Sequence, residues 1–219
     1  MKFRQIIPMF LSLVAFALAS CDETKEVDAY ANWQERNEAF IDKVKTEATT
    51  NADGSWTVIK DYNYTADGEG VSFNGNANQY IYVKKLHQGN GTKPLLSDTV
   101  YVSYAGHLMP FDTNNDGKVD TTYFDRSFYG NPVEIFERNF NAKTISTIMP
   151  KKSSVNGYIS GVTTALLHMN VGDVWKVYIP AKLAYGSTEK TAIPANSALV
   201  FYLYLHATYP IGTVVPKWK

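Results

Sequence analysis

The stretch Val100-Tyr101-Val102-Ser103-Tyr104-Ala105-Gly106 is the part of the chain from which the fold can be read. β-Branched and aromatic residues dominate it, and such residues suit a pleated, half-buried surface. Over the longer run from Asp98 to Met109 the side chains alternate. Val102, Tyr104, Gly106 and Leu108 fall on one face, and Tyr101, Ser103 and His107 on the other. That two-residue period predicts a strand. Working outward, Tyr80 to Leu86 is a second strand, Val174 to Ile179 a third, and Leu199 to His206 a fourth. Between the first and third of these motifs lies one helical pattern: Ile159, Val162, Leu166 and Met169. It ends at Asn170-Val171-Gly172, where glycine can adopt the left-handed conformation that stops a helix. Antiparallel strands wrapped on one short helix make an α+β arrangement.

Composition supports a folded domain. The 219 residues are 45% hydrophobic and 14% aromatic, which excludes disorder along the whole chain. Basic and acidic residues balance at 21 each, so there is no electrostatic footprint for nucleic acid. The single cysteine excludes an internal disulfide and a multi-cysteine zinc site. The four histidines, at 87, 107, 168 and 206, never fall at short ligand spacing.

Five segments, in order, resemble the FKBP-type peptidyl-prolyl isomerases. Val100 to Gly106 resembles their V-x-V-x-Y-x-G strand, and Phe124-Asp125-Arg126-Ser127 their F-D-x-S segment. Gly161-Val162 through Met169-Asn170-Val171-Gly172-Asp173 resembles their helix and its exit. Ile179-Pro180 to Leu183-Ala184-Tyr185-Gly186 resembles I-P-x-x-L-A-Y-G. Ile193-Pro194-Ala195-Asn196-Ser197-Ala198-Leu199-Val200-Phe201 resembles I-P-x-N-x-x-L-V-F. The resemblance covers about residues 79 to 209. It implies an FKBP-like twisted antiparallel half-barrel sheet wrapped on the helix, with an N-terminal helical extension. It also implies an aromatic pocket with Tyr104, Phe124, Asp125, Ile159, Tyr185 and Phe201 as catalytic residues. Val133, Val162 and Ile193 would complete the substrate pocket, with Val162 as its floor. By the same resemblance the Tyr185 hydroxyl donates to a substrate carbonyl and Asp125 orients neighbouring polar groups. The activity implied is cis-trans isomerisation of X-Pro bonds during folding of exported proteins. Proline-containing polypeptides would be the clients, macrolides the inhibitors, and no cofactor would be required.

Several features depart from that pattern. Val162 stands where the family often has Trp, and Val133 where a second aromatic is common. An arginine that commonly pairs with the aspartate has no counterpart in Ser127-Phe128-Tyr129-Gly130. A longer insert, about Phe136 to Ser154, replaces a short link before the helix. These departures favour an alternative: a catalytically weak proline-peptide-binding or chaperone-like protein of the same fold. A third reading is a surface-interaction protein whose N-terminal part blocks the pocket.

The N-terminus reads as a targeting segment. Lys2 and Arg4 precede an apolar run, Ile6 to Leu18, too short to span a bilayer. Leu18-Ala19-Ser20-Cys21 resembles a bacterial lipobox, which implies cleavage before Cys21, lipidation of that cysteine and a stable membrane anchor. The alternative is a secreted protein with a chance cysteine. Residues 1–20 are thus expected to be a signal peptide and 21–78 a tether and helical extension. Residues 79–212 would form the isomerase domain and 213–219 a tail. The location expected is a bacterial cell envelope, on the periplasmic or outer-membrane side. Within the extension, Asp28 to Ala48 is predicted helical, with Tyr30, Trp33, Phe40, Ile41 and Val44 on one stripe. Trp56 to Lys60 is a short strand and 63–78 a loop. The plain reading is a spacer or flap packed on the main domain.

One further spacing bears on metal. Asp112, Asn114, Asp116 and Asp120 occupy positions 1, 3, 5 and 9 of a calcium loop, with Gly117 at position 6. Position 12 is Tyr123 rather than Glu. The alternative is an Asp-Gly hairpin turn with a polar tip.

Overall fold

A computed structural model describes residues 28–64, 76–114 and 116–218. In chain order the main elements are α1 (Trp33–Thr50), β1 (Trp56–Lys60), β2 (Tyr80–His87), β3 (Thr99–Leu108), β4 (Tyr123–Arg126), α2 (Ala142–Ile145), β5 (Lys151–Ser154), α3 (Ser160–His168), β6 (Val174–Ile179) and β7 (Leu199–Tyr209). The strands form one antiparallel sheet in the order β1-β2-β6-β7-β3-β4, and β5 pairs with the start of β3. The α+β class and the five predicted strands stand as expected. The lipobox Cys21 lies outside the described residues.

Both faces of the sheet are covered, because the pleat sends alternate side chains to opposite sides. On the concave side α3 sits in the hollow, with Val162, Ala165 and Leu166 buried against Val83, Val102, Val177 and Leu203. Its buried polar residues are satisfied: the Thr163 hydroxyl donates to the Val155 carbonyl at 2.9 Å and that of Thr164 to Asp61 at 2.8 Å. Gly161 permits the close approach: a Cβ there would stand 2.4 Å from the Ile179 methyl. The helix ends at His168 with Met169 already extended, and Gly172, at φ 97°, turns the chain after the helix rather than stopping it.

On the convex side two covers divide the sheet. The insert, with Phe128 before it, buries Phe128, Phe136 and Ile148 over Ala105, Val174 and Tyr202. A π-helical turn, Val133–Arg138, carries Phe136. At the other end α1 lays Ile41, Val44 and Ala48 over Trp56, Tyr80 and Tyr82. The helix starts at Trp33 rather than Asp28. Tyr30 therefore lies in the preceding turn, yet its ring still packs 5.1 Å from that of Trp33.

The N-terminal part is woven into the domain. β1 pairs with β2 from Trp56↔Lys84 to Lys60↔Tyr80, across the boundary expected at residue 79. Asp61 is buried and accepts hydrogen bonds from the Ser160 and Thr164 hydroxyls, tying this segment to α3.

Candidate functional site

The strands and α3 leave one cleft of about 680 Å³ at the open end of the hollow. Eight sequence-predicted residues line it: Tyr104, Phe124, Asp125, Ile159, Val162, Tyr185, Ile193 and Phe201. β3 supplies Tyr104, β4 supplies Phe124 and Asp125, and β7 supplies Phe201. Val162 on α3 is the buried floor.

Each local motif has a physical reason. Gly106 lies under the two phenylalanines. A Cβ there would stand 2.6 Å from the Phe201 ring and 2.7 Å from that of Phe124. The bare backbone lets the two rings meet edge to face, with centroids 5.6 Å apart, a favourable aromatic geometry. Ser127 stitches β4 to β3: its hydroxyl accepts from the Tyr104 N–H at 2.9 Å, and its own N–H donates to the Tyr104 carbonyl at 2.9 Å. Asp125, opposite Gly106 in the ladder, is thereby set within reach of Tyr104, whose hydroxyl donates to it at 2.9 Å. Burial, then Asp125, pushes the Tyr104 hydroxyl well above the ordinary tyrosine range. It stays a neutral donor at every physiological pH.

Two cations and a third tyrosine complete the rim. Lys151, from β5, places its ammonium 3.4 Å from the Tyr104 hydroxyl and 5.7 Å from its ring centroid. It brings positive charge beside the Tyr104–Asp125 couple, the role for which Ser127 to Gly130 offered no residue. Lys190 lies 5.6 Å over the exposed Tyr185 ring. Tyr158 packs edge-on against Tyr104 at 6.4 Å, and burial pushes its hydroxyl up to about 12. Sequence reasoning missed all three. Tyr158 adjoins Ile159 and was recoverable from that adjacency. Lys151 sits in the insert, where no pattern marks it.

Val133 is a correction. It does not line the cleft but packs with Phe128, Phe136 and Tyr202 on the convex face. Gly130, at φ 111°, turns the chain outward first, and the π-helical turn then carries Val133 away.

The calcium expectation is corrected too. One Asp112 oxygen accepts from the N–H groups of Asn114 and Asp116, and the other from Gly117 at 2.8 Å. Asp120 accepts from the Thr113 hydroxyl, and Asp116 lies 3.7 Å from Lys118. Gly117 takes φ 81°. The acids thus build a polar turn, and among the described residues no three His, Cys, Asp or Glu side chains converge as a metal site.

The cleft is an apolar, aromatic trough with a polar couple at one wall. Among the described residues lining it there is no histidine or cysteine, and Asp125 is the one carboxylate. It can bind and desolvate an extended apolar segment and present hydroxyl donors.

Comparison with known proteins agrees. The family described as FKBP-type peptidyl-prolyl cis-trans isomerase matches residues 90–206. An FKBP-type 22 kDa peptidyl-prolyl cis-trans isomerase of Escherichia coli is 33% identical over 148 residues, 67% of this chain and 57% of its own length. The isomerase FkpA of Aeromonas hydrophila is 33% identical over 142 residues, 65% of this chain and 42% of its own. A protein of Legionella longbeachae named outer membrane protein MIP is 32% identical over 126 residues, 57% of this chain and 42% of its own. The chain thus spans about half the length of the curated relatives it matches. With the family match covering more than half the chain and its motif residues gathered at one cleft, the chain belongs to the FKBP-type peptidyl-prolyl cis-trans isomerases.

Proposed function

We propose that this protein accelerates cis-trans isomerisation of X-Pro bonds in polypeptide clients, and that the cleft is its active site. The observation that carries the reading is the apolar trough formed by Phe124, Phe201, Val162 and Ile193 beside the Tyr104–Asp125 couple. The amide resists rotation because resonance gives its C–N bond double-bond character, with charge separated onto oxygen. Dry walls disfavour that charge-separated planar form relative to the twisted one. Donors fixed in place for the twisted amide then lower the barrier without any nucleophile. In this scheme Tyr185 donates to a substrate carbonyl, Asp125 and Lys151 fix Tyr104, and Ile159 and Ile193 close the trough around the proline ring.

The envelope assignment belongs to the same proposal. The apolar run at 6–18 and the lone Cys21 support lipid anchoring, and the name of the Legionella relative supports an envelope location. Exported polypeptides would then be the clients and macrolides the inhibitors, with no cofactor. The small Val162 floor favours one second reading, a wider cleft that grips proline segments with little catalysis. An assay of proline-limited refolding separates the two: catalysis by the wild-type chain supports the isomerase, and peptide binding without rate enhancement supports the binding module. Cys21→Ser is expected to release the protein from membranes. Unchanged fractionation and acyl labelling would reject the anchor.

A further inference from the structure

The matched family region begins at residue 90, yet the loop that walls the cleft is held from outside that region. The chain from Tyr185 to Ala198 carries the rim residue Tyr185 and the wall residue Ile193 before entering β7. Two of its non-glycine residues, Ala192 at φ 63° and Asn196 at φ 60°, adopt the left-handed conformation. Asn tolerates that conformation, but Ala adopts it only where the surroundings impose it. Some restraint is internal: Lys190 and Ile193 exchange paired backbone hydrogen bonds at 2.9 Å, and the Asn196 N–H donates to Gly186 at 2.8 Å.

The rest comes from α1. Three consecutive loop residues each bind one residue of that helix. The Asn196 side-chain amide donates to Gln34 at 3.1 Å, the Trp33 indole N–H donates to the Ser197 hydroxyl at 2.8 Å, and the Ala198 N–H donates to the Asn37 side-chain oxygen at 2.8 Å. The Asn37 amide is itself fixed by donating to the Trp33 carbonyl at 2.7 Å. Trp33, Asn37, Ser197 and Ala198 are all buried. Asn37 lies one helical turn from both Trp33 and Gln34, at i,i+4 and i,i+3, so a single rigid element grips the three positions.

We propose that α1 is a positioning element of the cleft: through Trp33, Gln34 and Asn37 it sets the Tyr185–Ala198 loop against the aromatic wall. The functional unit then starts near residue 33. This inference rests on the isomerase reading. It makes Trp33 and Asn37 positioning residues that never touch the client.

The test uses the full chain and two readouts: hydrogen exchange of the 185–198 segment, and kcat and KM for a proline tetrapeptide well below the melting temperature. Trp33→Phe removes one hydrogen bond and keeps an aromatic ring, and Asn37→Leu removes the acceptor for Ala198. Each should speed exchange in 185–198 while leaving α3 and β3 protected, and lower kcat/KM by about two- to tenfold. Ile148→Val loosens the other cover of the sheet, in a hydrophobic cluster that contains no residue of the loop. It should lower the melting temperature and leave kcat/KM unchanged. Unchanged exchange in the loop, or faster exchange with unchanged kcat/KM, overturns the proposal. If Asn37→Leu does not fold, Trp33→Phe decides. If the wild-type chain shows no isomerase activity, the isomerase reading fails by itself. Loop exchange and the affinity for the same tetrapeptide then decide whether α1 braces the cleft.

Discussion

The same strands present two aromatic faces with opposite fates. On the concave side Phe124 and Phe201 meet over Gly106 and border an open cleft. On the convex side, one residue along β7, the Tyr202 ring stacks on Phe136 at 6.0 Å beneath the insert. Polar groups there are satisfied in place: Glu137 accepts from the Tyr202 hydroxyl and from Lys176 at 3.0 Å. Burial pushes the Glu137 carboxyl up, but those two donors outweigh it and hold it below its usual range. One face has exchanged exposure for packing; the other leaves aromatic surface open at the cleft. Stability and catalysis should therefore separate by face.

The largest effect expected is on the convex side. Phe136→Ala opens a cavity at a fully buried ring and should cost about 3–5 kcal/mol. A chain of this size would then melt about 10 °C lower. The kcat/KM of the folded fraction should be unchanged. Chemical denaturation and an activity assay on the same sample check both halves.

Acid should also act on the convex side. Burial depresses His107, set between the Tyr123 and Tyr202 rings, and His206, bonded to Ser103, to about 4 each. The unfolded chain binds these protons near pH 6.5 and the folded one near 4, so between those values unfolding takes up protons. Stability should be complete above pH 6.5 and fall as pH drops toward 4, by roughly 1.4 kcal/mol per pH unit per histidine. His107→Gln should flatten part of that slope in denaturation curves at pH 7, 6 and 5. No histidine lines the cleft among the described residues, so the activity of the folded protein should stay level over this range.

Gly106→Ala sharpens the concave side. Its added methyl must displace one phenylalanine ring, costing about 1–3 kcal/mol and on the order of tenfold or more in kcat/KM. A variant with wild-type kinetics would show that the ring pair is not part of the site. Lys151→Ala should do least: about 0.5–1 kcal/mol from its contact with the Tyr104 ring, and a loss of about twofold in rate.

The sequence was most legible where structure is local. The alternation from Val102 to Leu108 depends on neighbours in the chain and appears as expected, whereas the helix stops at His168, before the Gly172 that was to end it. Seven of the eight cleft residues lie within the quoted motifs, and Ile159 stands two residues before one of them. What stayed hidden is long-range. Trp33 meets Ser197 across 164 positions, and no periodicity encodes that pairing. Lys151 reaches Tyr104 only because β5 folds back on β3. Val133 was misplaced because counting onward from Phe124 ignores the outward turn at Gly130. The acidic run at 112–120 has calcium-like spacing, but its carboxylates accept from the turn's own N–H groups and the Thr113 hydroxyl.

The most direct test is Phe124→Ala, measured for proline-limited refolding beside Phe136→Ala. Phe124 is half-buried at the cleft. The account predicts a drop in kcat/KM on the order of tenfold or more with a smaller stability loss than Phe136→Ala, the reverse of the convex-side variant. Equal kcat/KM for Phe124→Ala and the wild type, both folded, would contradict the assignment of catalysis to the concave face.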